Sequence, residues 1–176
     1  MIILHAYDAL KQLGYETYSK DIEYMCKQTY ELWYETYYKP QKDKYPSWET
    51  LYDIYMKLAN NIETHKYIHG FVAIENNHIV GYCSMNYNDF IIKDSSKNIY
   101  TLWLSDVFVW PEYRSQGIAK NLIEIVKKTA FEMGEQIYLA CEDELIKFYE
   151  NKEWKLIKSE KKLFNYWNMM TYNDIQ

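Results

Sequence analysis

The stretch that decides the fold reads Leu104-Ser105-Asp106-Val107-Phe108-Val109-Trp110-Pro111-Glu112-Tyr113-Arg114-Ser115-Gln116-Gly117-Ile118-Ala119. It begins inside an apolar, β-branched and aromatic run over residues 101–109, which predicts a strand buried on both faces. Apolar residues at helical spacing then predict a helix over residues 116–133, ended by Gly134. Lys120, Glu124, Lys127 and Lys128 fall on the polar side of that helix. The stretch therefore predicts a strand, a sharp turn and a helix.

The turn between this strand and helix has the features of a phosphate site. The first turn of a helix carries free N–H groups and a partial positive charge, and such an end binds anions. Gly117 has no Cβ, so a diphosphate can approach the backbone closely, and Arg114 adds a positive charge. The turn lacks the Lys-Ser/Thr ending of a P-loop, which argues against ATP or GTP. An ordinary strand-to-helix turn with one glycine stays the alternative reading of the turn itself.

The flanking sequence predicts further strands and helices. On the N-terminal side the patterns predict a strand over residues 2–4, helices over 21–38 and 47–60, and a hairpin over 71–75 and 79–86. Residues 87–98 are polar and predict a surface loop. On the C-terminal side they predict strands over 137–141, 154–158 and 165–172 and a helix over 143–151. This order predicts an α/β fold with a mixed sheet in a single domain spanning residues 1–176.

Composition narrows the class of protein. A chain of 176 residues suits one domain, and a net charge of −5 argues against a nucleic-acid binder. No apolar run is long enough to span a membrane, and the N-terminus lacks the basic region of a secretory signal. The three cysteines, Cys26, Cys83 and Cys141, lie far apart, which suggests neither a disulfide framework nor a metal site. A cytoplasmic protein with reduced thiols is expected.

Together with its flanks, the stretch resembles the central motif of the GNAT superfamily of N-acetyltransferases. That motif is a strand ending in a Val-x-Pro-x-x-Arg turn, then Gln/Arg-x-x-Gly-x-Gly/Ala, then a helix. The resemblance covers residues 71–154 and is nearest to polyamine and aminoglycoside acetyltransferases. It implies a splayed mixed sheet flanked by helices, acetyl-CoA as cofactor, and acetyl transfer to an amine. It also divides the domain into acceptor-side helices over about residues 1–65 and an acetyl-CoA core over about 71–160.

The resemblance also implies roles for particular residues. The resemblance implies that the backbone of Val107, Phe108 and Val109 pairs with the pantetheine arm. It implies that the pyrophosphate is bound by Arg114, Ser115, Gln116, Gly117, Ile118, Ala119 and Lys120. In the family, a bulge in the central strand aims a backbone N–H at the thioester oxygen.

A second match, Phe148-Tyr149-Glu150, implies that Tyr149 protonates the departing CoA thiolate. The alternative is that Tyr149 only packs against the sulfur region of the cofactor. The chain departs from the family at Glu142, where an Asn commonly contacts the pantetheine, and at Glu153, where a Gly is common.

The acceptor amine must lose a proton, which calls for a carboxylate or a water chain that ends in one. Asp106 is the first candidate and Glu144 a weaker one, and the alternative for Asp106 is a buried structural carboxylate. Carboxylates among aromatic rings suit a polycationic amine, through ion pairs and cation–π contacts. The acceptor candidates, besides Asp106, are Glu31, Trp33, Glu35, Tyr37 and Asp89, with Tyr34, Tyr38, Trp48, Tyr52 and Asp94 nearby.

Three alternatives stay open at this point. The acceptor could be a peptide or protein N-terminus, which would require a longer open groove. The chain could also be an acyl-CoA-binding module that has lost catalysis, as the departures at Glu142 and Glu153 allow. A homodimer that pairs through the Trp-Asn-Met-Met tail is possible.

Overall fold

A computed structural model of the chain describes residues 1–43, 47–60, 68–87, 101–162 and 165–172. The strands are β1 (Ile2–His5), β2 (Ile68–Glu75), β3 (His78–Tyr87), β4 (Leu102–Val109), β5 (Ile137–Cys141), β6 (Lys155–Lys162) and β7 (Asn165–Tyr172). The α-helices are α1 (Ala6–Leu13), α2 (Tyr15–Trp33), α3 (Trp48–Asn60), α4 (Ile118–Glu132) and α5 (Ile146–Glu150). None of the described helices is both long and apolar enough to cross a membrane.

The described strands form one seven-stranded sheet in the order β1-β2-β3-β4-β5-β7-β6. Antiparallel pairing joins β1 to β2, β5 to β7 and β6 to β7, whereas β4 and β5 are parallel. Registered pairing between β4 and β5 occurs at Leu102 and Trp103, the first two residues of β4. The mixed, splayed α/β sheet flanked by helices that was predicted from the sequence is therefore confirmed.

The predicted hairpin is confirmed, and its turn has a clear physical cause. Asn76 and Asn77 both have positive φ, 49° and 64°, as a two-residue type I′ hairpin turn requires. Asn tolerates this left-handed region better than most residues. The buried carboxylate of Asp21 in α2 accepts the backbone N–H of Ile79 at 2.8 Å and lies 3.2 Å from Nδ1 of His78. One helix side chain therefore fixes the hairpin.

Close packing divides the chain into two units. The N-terminal unit comprises Met1–Ser84 and Asp106–Leu122, and the C-terminal unit comprises Met85–Ser105 and Ile123–Gln176. In the N-terminal unit the core is built from fully buried side chains of α2, α3 and the sheet, among them Tyr18, Ile22, Leu51, Tyr55, Val72 and Tyr82. In the C-terminal unit the largest buried side chains are Trp103 and Trp154, with Leu139 and Met170. The organisation as a single domain stays a prediction.

The N-terminal helices differ from the prediction. A helix over residues 21–38 was expected, but α2 begins at Tyr15, ends at Trp33 and continues as a π-helix over Tyr34–Tyr38. The preceding helix, α1, was missed because only Ala6, Ala9 and Leu13 are buried in it, too few to stand out in the sequence. Although Leu32 is apolar and falls at helical spacing, it is 59% exposed. Ile54 of α3 is exposed as well.

Two predictions in the central segment need correction. The strand over residues 101–109 was expected to be buried on both faces, but this holds only through Leu104, and Asp106 is exposed. Lys127 was expected on the solvent side of α4, yet its side chain is only 4% exposed. The long aliphatic stem of lysine can line a core while its ammonium meets polar partners, so a polar-side pattern does not exclude burial.

Candidate functional site

The backbone of β4 leaves the extended conformation at Asp106. This residue has φ of 55°, a left-handed conformation inside a strand, which is typical of a β-bulge. Aspartate is among the few residues other than glycine that adopt this conformation at modest cost. Asp106 is exposed, whereas the alternative interpretation was a buried structural carboxylate, and its catalytic role stays a prediction. Ser84 of β3 donates a hydrogen bond from Oγ to Oδ2 of Asp106 at 2.8 Å.

Asp106 also acts electrostatically on buried groups of the N-terminal unit. Burial raises the pKa of Cys26 and Cys83, and the negative charge of Asp106 raises both further. Burial likewise holds the pKa of Tyr55 and Tyr82 well above the ordinary phenol value, again with a contribution from Asp106. These four side chains therefore stay protonated and neutral at physiological pH.

The turn that was predicted to hold a pyrophosphate is exposed and braced by its own side chains. Arg114, Ser115, Gln116 and Gly117 are all exposed, and Ser115 and Gly117 have positive φ, 61° and 80°. Alternating backbone conformations of this kind turn successive N–H groups toward one side, which makes an anion-binding concavity. A Cβ built on Gly117 meets no protein atom within 4 Å, so the space beside this glycine is open to a ligand.

Two side-chain hydrogen bonds support this turn. Arg114 Nε donates to the carbonyl of Val109 at 3.1 Å, and Gln116 Nε2 donates to the carbonyl of Glu112 at 3.3 Å. The Val109 carbonyl was predicted to pair with a pantetheine arm, and a carbonyl oxygen has two lone pairs, so the Arg114 contact leaves capacity for a second donor. Val107 and Val109 are half-buried, and Phe108 is buried.

A glycine in β3 determines how closely the first turn of α4 approaches the sheet. A Cβ on Gly81 would lie 3.0 Å from Ile118 Cγ2, 3.2 Å from Leu122 Cδ1 and 3.2 Å from the carbonyl oxygen of Phe108. Any side chain here would therefore push the helix away from the strand. Ile118 is buried against this surface, Ala119 is half-buried and Lys120 is exposed. The N-terminus of α4 therefore packs against β3, while the turn that precedes it is exposed to solvent.

Tyr149 lies in the short helix α5 of the C-terminal unit and is 8% exposed. Its ring packs edge-on against Phe148 at 5.1 Å and against Trp154 at 6.2 Å between ring centroids. Its carbonyl accepts the N–H groups of Lys152 at 2.8 Å and Trp154 at 3.3 Å. The backbone and ring of Tyr149 are therefore held firmly.

The connection between β5 and α5 carries the departure at Glu142, which is half-buried. Next to it, Asp143 accepts a hydrogen bond from Nδ2 of the buried Asn168 at 2.6 Å, and the same nitrogen is 3.4 Å from the Cys141 carbonyl. The side-chain amide of Asn168 in β7 therefore holds the connection between β5 and α5. In the family, by contrast, an asparagine commonly lies within this connection. Glu144, the weaker candidate for the base, is exposed in the one-turn 3₁₀ helix that follows.

The second departure, Glu153, has an evident compensation. Glu153 adopts φ of 68°, the left-handed conformation that explains why glycine is common at this turn. Its carboxylate accepts a hydrogen bond from the buried Lys127 Nζ at 3.1 Å, and the same nitrogen donates to Glu124 at 3.2 Å and to the Lys152 carbonyl at 3.2 Å. The ammonium also lies 4.0 Å from the centroid of the Tyr172 ring. The turn after Tyr149 is therefore fixed by an ion pair.

The described acceptor candidates of the N-terminal helices lie near Tyr30, an aromatic residue that was not among the candidates. Tyr30 stacks on Tyr38 with centroids 5.1 Å apart and planes 10° apart, and it meets Tyr34 at 5.3 Å. The π-helix produces this stack, because its wider turn returns Tyr38 to the face that carries Tyr30. Glu31 and Glu35 are exposed, and Trp33, Trp48 and Tyr52 are half-buried. Glu35 pairs with Lys39 at 2.9 Å, and Lys27 lies over the Trp48 ring at 4.4 Å.

Some predicted residues lie outside the described part of the chain. These are Asp89, Asp94 and the side chain of Tyr37. The sequence did not predict the contacts of Ser84 with Asp106, of Lys127 with Glu153 and of Asn168 with Asp143. Ser84 is the polar member of a buried run in β3, which is the one signal that could have identified it. Among the described residues, no cluster of His, Cys, Asp and Glu side chains could hold a metal ion.

A known protein family and several solved structures are similar to this chain. The model of the acetyltransferase (GNAT) family matches residues 27–152. No curated protein matches the sequence significantly. The crystal structure of aminoglycoside 6'-acetyltransferase type Ii is similar with a TM-score of 0.64, at 15% identity, over 100% of this chain and 99% of that chain.

Two further solved structures share the fold. Arabidopsis thaliana NAA60 in complex with a bisubstrate analogue has a TM-score of 0.53 at 16% identity, over 69% of this chain and 81% of that one. An aminoglycoside 6'-N-acetyltransferase complexed with coenzyme A has a TM-score of 0.52 at 14% identity, over 68% of this chain and 81% of that one.

Proposed function

Because the chain belongs to the acetyltransferase (GNAT) family, we propose that it uses acetyl-CoA to acetylate a primary amine of a small polycationic acceptor by direct attack in a ternary complex. The observation that carries the proposal is the exposed carboxylate of Asp106, which has φ of 55° within β4 and lies eight residues before Arg114, the first residue of the exposed turn that leads into α4. A proton acceptor and an anion-binding turn on one short segment are what acyl transfer from a phosphate-bearing donor to an amine requires.

The residues present suit coenzyme A. The open space at Gly117 and the positive φ of Ser115 and Gly117 favour a pyrophosphate, and Arg114 and Lys120 add positive charge. Acetyl-CoA supplies the activated acetyl thioester when it is bound. Val107, Phe108 and Val109 offer the edge of β4 to its pantetheine arm, and Glu142 lies in the segment where the family contacts the same arm.

The protein's own groups handle the protons. The acceptor arrives as an ammonium, and Asp106, directly or through water, accepts the proton that frees its nitrogen lone pair. Tyr149 donates a proton to the sulfur that departs when the carbon–sulfur bond breaks and the nitrogen–carbon bond forms, and the second proton that the nitrogen loses on becoming an amide passes through water to restore the phenol. A backbone N–H at the bulge stabilises the oxyanion. Binding the amine and the thioester side by side lowers the activation barrier further, because the two reactants no longer have to meet in solution.

The acceptor class rests on the surface around Tyr30, Tyr34 and Tyr38 with Glu31 and Glu35. Aromatic faces and carboxylates attract organic cations, and a net charge of −5 reinforces this attraction. The proteins with similar folds include aminoglycoside acetyltransferases, whose substrates carry several amines, and NAA60. A peptide N-terminus is the second candidate, favoured by that last similarity. We place the activity in the cytoplasm, in keeping with the free, buried thiols of Cys26, Cys83 and Cys141.

The test is consumption of the thioester on a panel of spermine, kanamycin and short peptides, followed as release of free CoA thiol. Turnover highest with spermine or kanamycin supports the proposal, and turnover highest with a peptide replaces the acceptor class. Tight CoA binding with no turnover on any amine would mean that the chain is a non-catalytic acyl-CoA-binding module. Asp106→Asn, which keeps the side-chain shape and tolerates positive φ, should reduce turnover strongly without loss of CoA binding.

A further inference from the structure

We propose that Ser84 is a positioning residue that holds the carboxylate of Asp106 ionised and aligned for its work as the proton acceptor. The inference rests on the proposed role of Asp106 and adds a residue from a different strand. Ser84 lies in β3, 22 residues before Asp106, and no motif of the family resemblance includes it.

The two partners of this hydrogen bond differ in solvent exposure. Ser84 is 1% exposed, whereas Asp106 is exposed, and the Oγ–Oδ2 distance is 2.8 Å. A carboxylate on an exposed bulge can rotate about its side-chain torsions, and a buried donor restricts that rotation. Burying a hydroxyl without a hydrogen-bond partner lowers the stability of the fold, so the contact between Ser84 and Asp106 is energetically favoured. The bond therefore fixes the exposed carboxylate to a rigid part of the sheet.

The hydrogen bond also affects protonation. A donor to a carboxylate stabilises the ionised form, and the effect is larger when the donor cannot turn to water. Among the described residues, the groups whose pKa Asp106 raises are Cys26 of α2, Tyr55 of α3, and Tyr82 and Cys83 of β3. Burial keeps all four protonated at neutral pH, so none of them titrates together with Asp106. Removing the Ser84 hydroxyl should therefore move the titration of Asp106, because it removes a donor that stabilises the ionised carboxylate.

The experiment is a titration of the Asp106 carboxyl carbon by NMR in protein labelled with ¹³C-aspartate, with Asp106→Asn used to assign the signal. Ser84→Ala should raise the midpoint by about one pH unit, the equivalent of one charge-assisted hydrogen bond. Ser84→Thr keeps a hydroxyl and should leave the midpoint near that of the parent. Thermal melting identifies any variant that has not folded, and Ser84→Cys, a weak donor of similar size, replaces such a variant.

The same variants separate this inference from the proposed function. With the best acceptor of the panel, the acid limb of kcat/KM should move to higher pH in Ser84→Ala by the same amount. An unmoved midpoint in folded Ser84→Ala overturns the inference, even if the rate falls uniformly, because a purely structural role would change the rate without moving the titration. Full turnover by Asp106→Asn instead overturns the base role, and the inference falls with it.

Discussion

Replacing Gly117 by alanine tests the pyrophosphate turn most directly. Gly117 has φ of 80°, and a Cβ at this position meets no protein atom within 4 Å. The substitution therefore creates no clash inside the protein, and its effects come from the left-handed backbone and from the space that a ligand would use. For a non-glycine residue the left-handed conformation costs about 1–2 kcal/mol.

The expected magnitudes follow from these two effects. The conformational cost should lower the melting temperature by about 2–4 °C per kcal/mol, as for other chains of this length. If the methyl group also keeps a phosphate from one backbone N–H, the loss of one charge-assisted hydrogen bond is about 1.5–3 kcal/mol. The affinity for CoA should then fall roughly 10- to 100-fold, since about 1.4 kcal/mol corresponds to a factor of ten.

The assay is calorimetric titration with CoA, and Gly134→Ala is the matched control. Gly134 follows α4 with φ of 69°, and a Cβ there also meets nothing within 4 Å. Both variants should melt at a lower temperature, but only Gly117→Ala should lose affinity for CoA. Pantetheine, which lacks the pyrophosphate, should bind both variants equally. A Gly117→Ala protein that binds CoA as tightly as the parent would refute the assignment of this turn to the pyrophosphate.

Three further predictions can be checked with standard assays. Tyr149→Phe should lower kcat near neutral pH by about 100-fold, the usual effect of removing a general acid, and an unchanged kcat would remove Tyr149 from this role. Gly70→Ala should cost about 1–3 kcal/mol in urea unfolding, because its Cβ would lie 2.7 Å from the Tyr82 hydroxyl. Tyr82→Phe should recover part of that cost, whereas strictly additive costs would contradict the contact. Finally, burial raises the pKa of Cys141 to about 11 from an ordinary 9.0, so the unfolded chain ionises first as pH rises. Stability should be full below pH 9 and decline between pH 9 and 11, and a Cys141→Ala protein should show less of this decline in urea unfolding.

The strand, turn and helix of the proposed donor side could be predicted from the sequence because their determinants are local. The strand, the Pro111 break, the turn at Gly117 and the cap at Gly134 each follow from neighbouring residues and their backbone preferences. The last strand was placed correctly at Asn165–Tyr172 for the same reason, since its pattern is short and regular.

What the sequence could not supply depends on contacts between residues distant in the chain. The bond from Ser84 to Asp106 joins two strands, and neither residue signals the other. The π-helix at Tyr34–Tyr38 has no pattern that separates it from an α-helix in a single sequence, yet it decides which tyrosines stack. Burial of Lys127 follows from partners that lie up to 26 residues away, such as Glu153.

The ion pair of Lys127 with Glu153 predicts which residues occur together at positions 127 and 153 in related sequences. A glycine at position 153 adopts the left-handed conformation without help, so a chain with that glycine has no need of a lysine at 127. Once glutamate occupies the turn, the buried ammonium holds its carboxylate, and loss of either partner leaves the other poorly matched. Among relatives, an acidic residue at 153 and a basic residue at 127 should therefore appear and disappear together. Sequences that carry one without the other would show that the two positions drift independently.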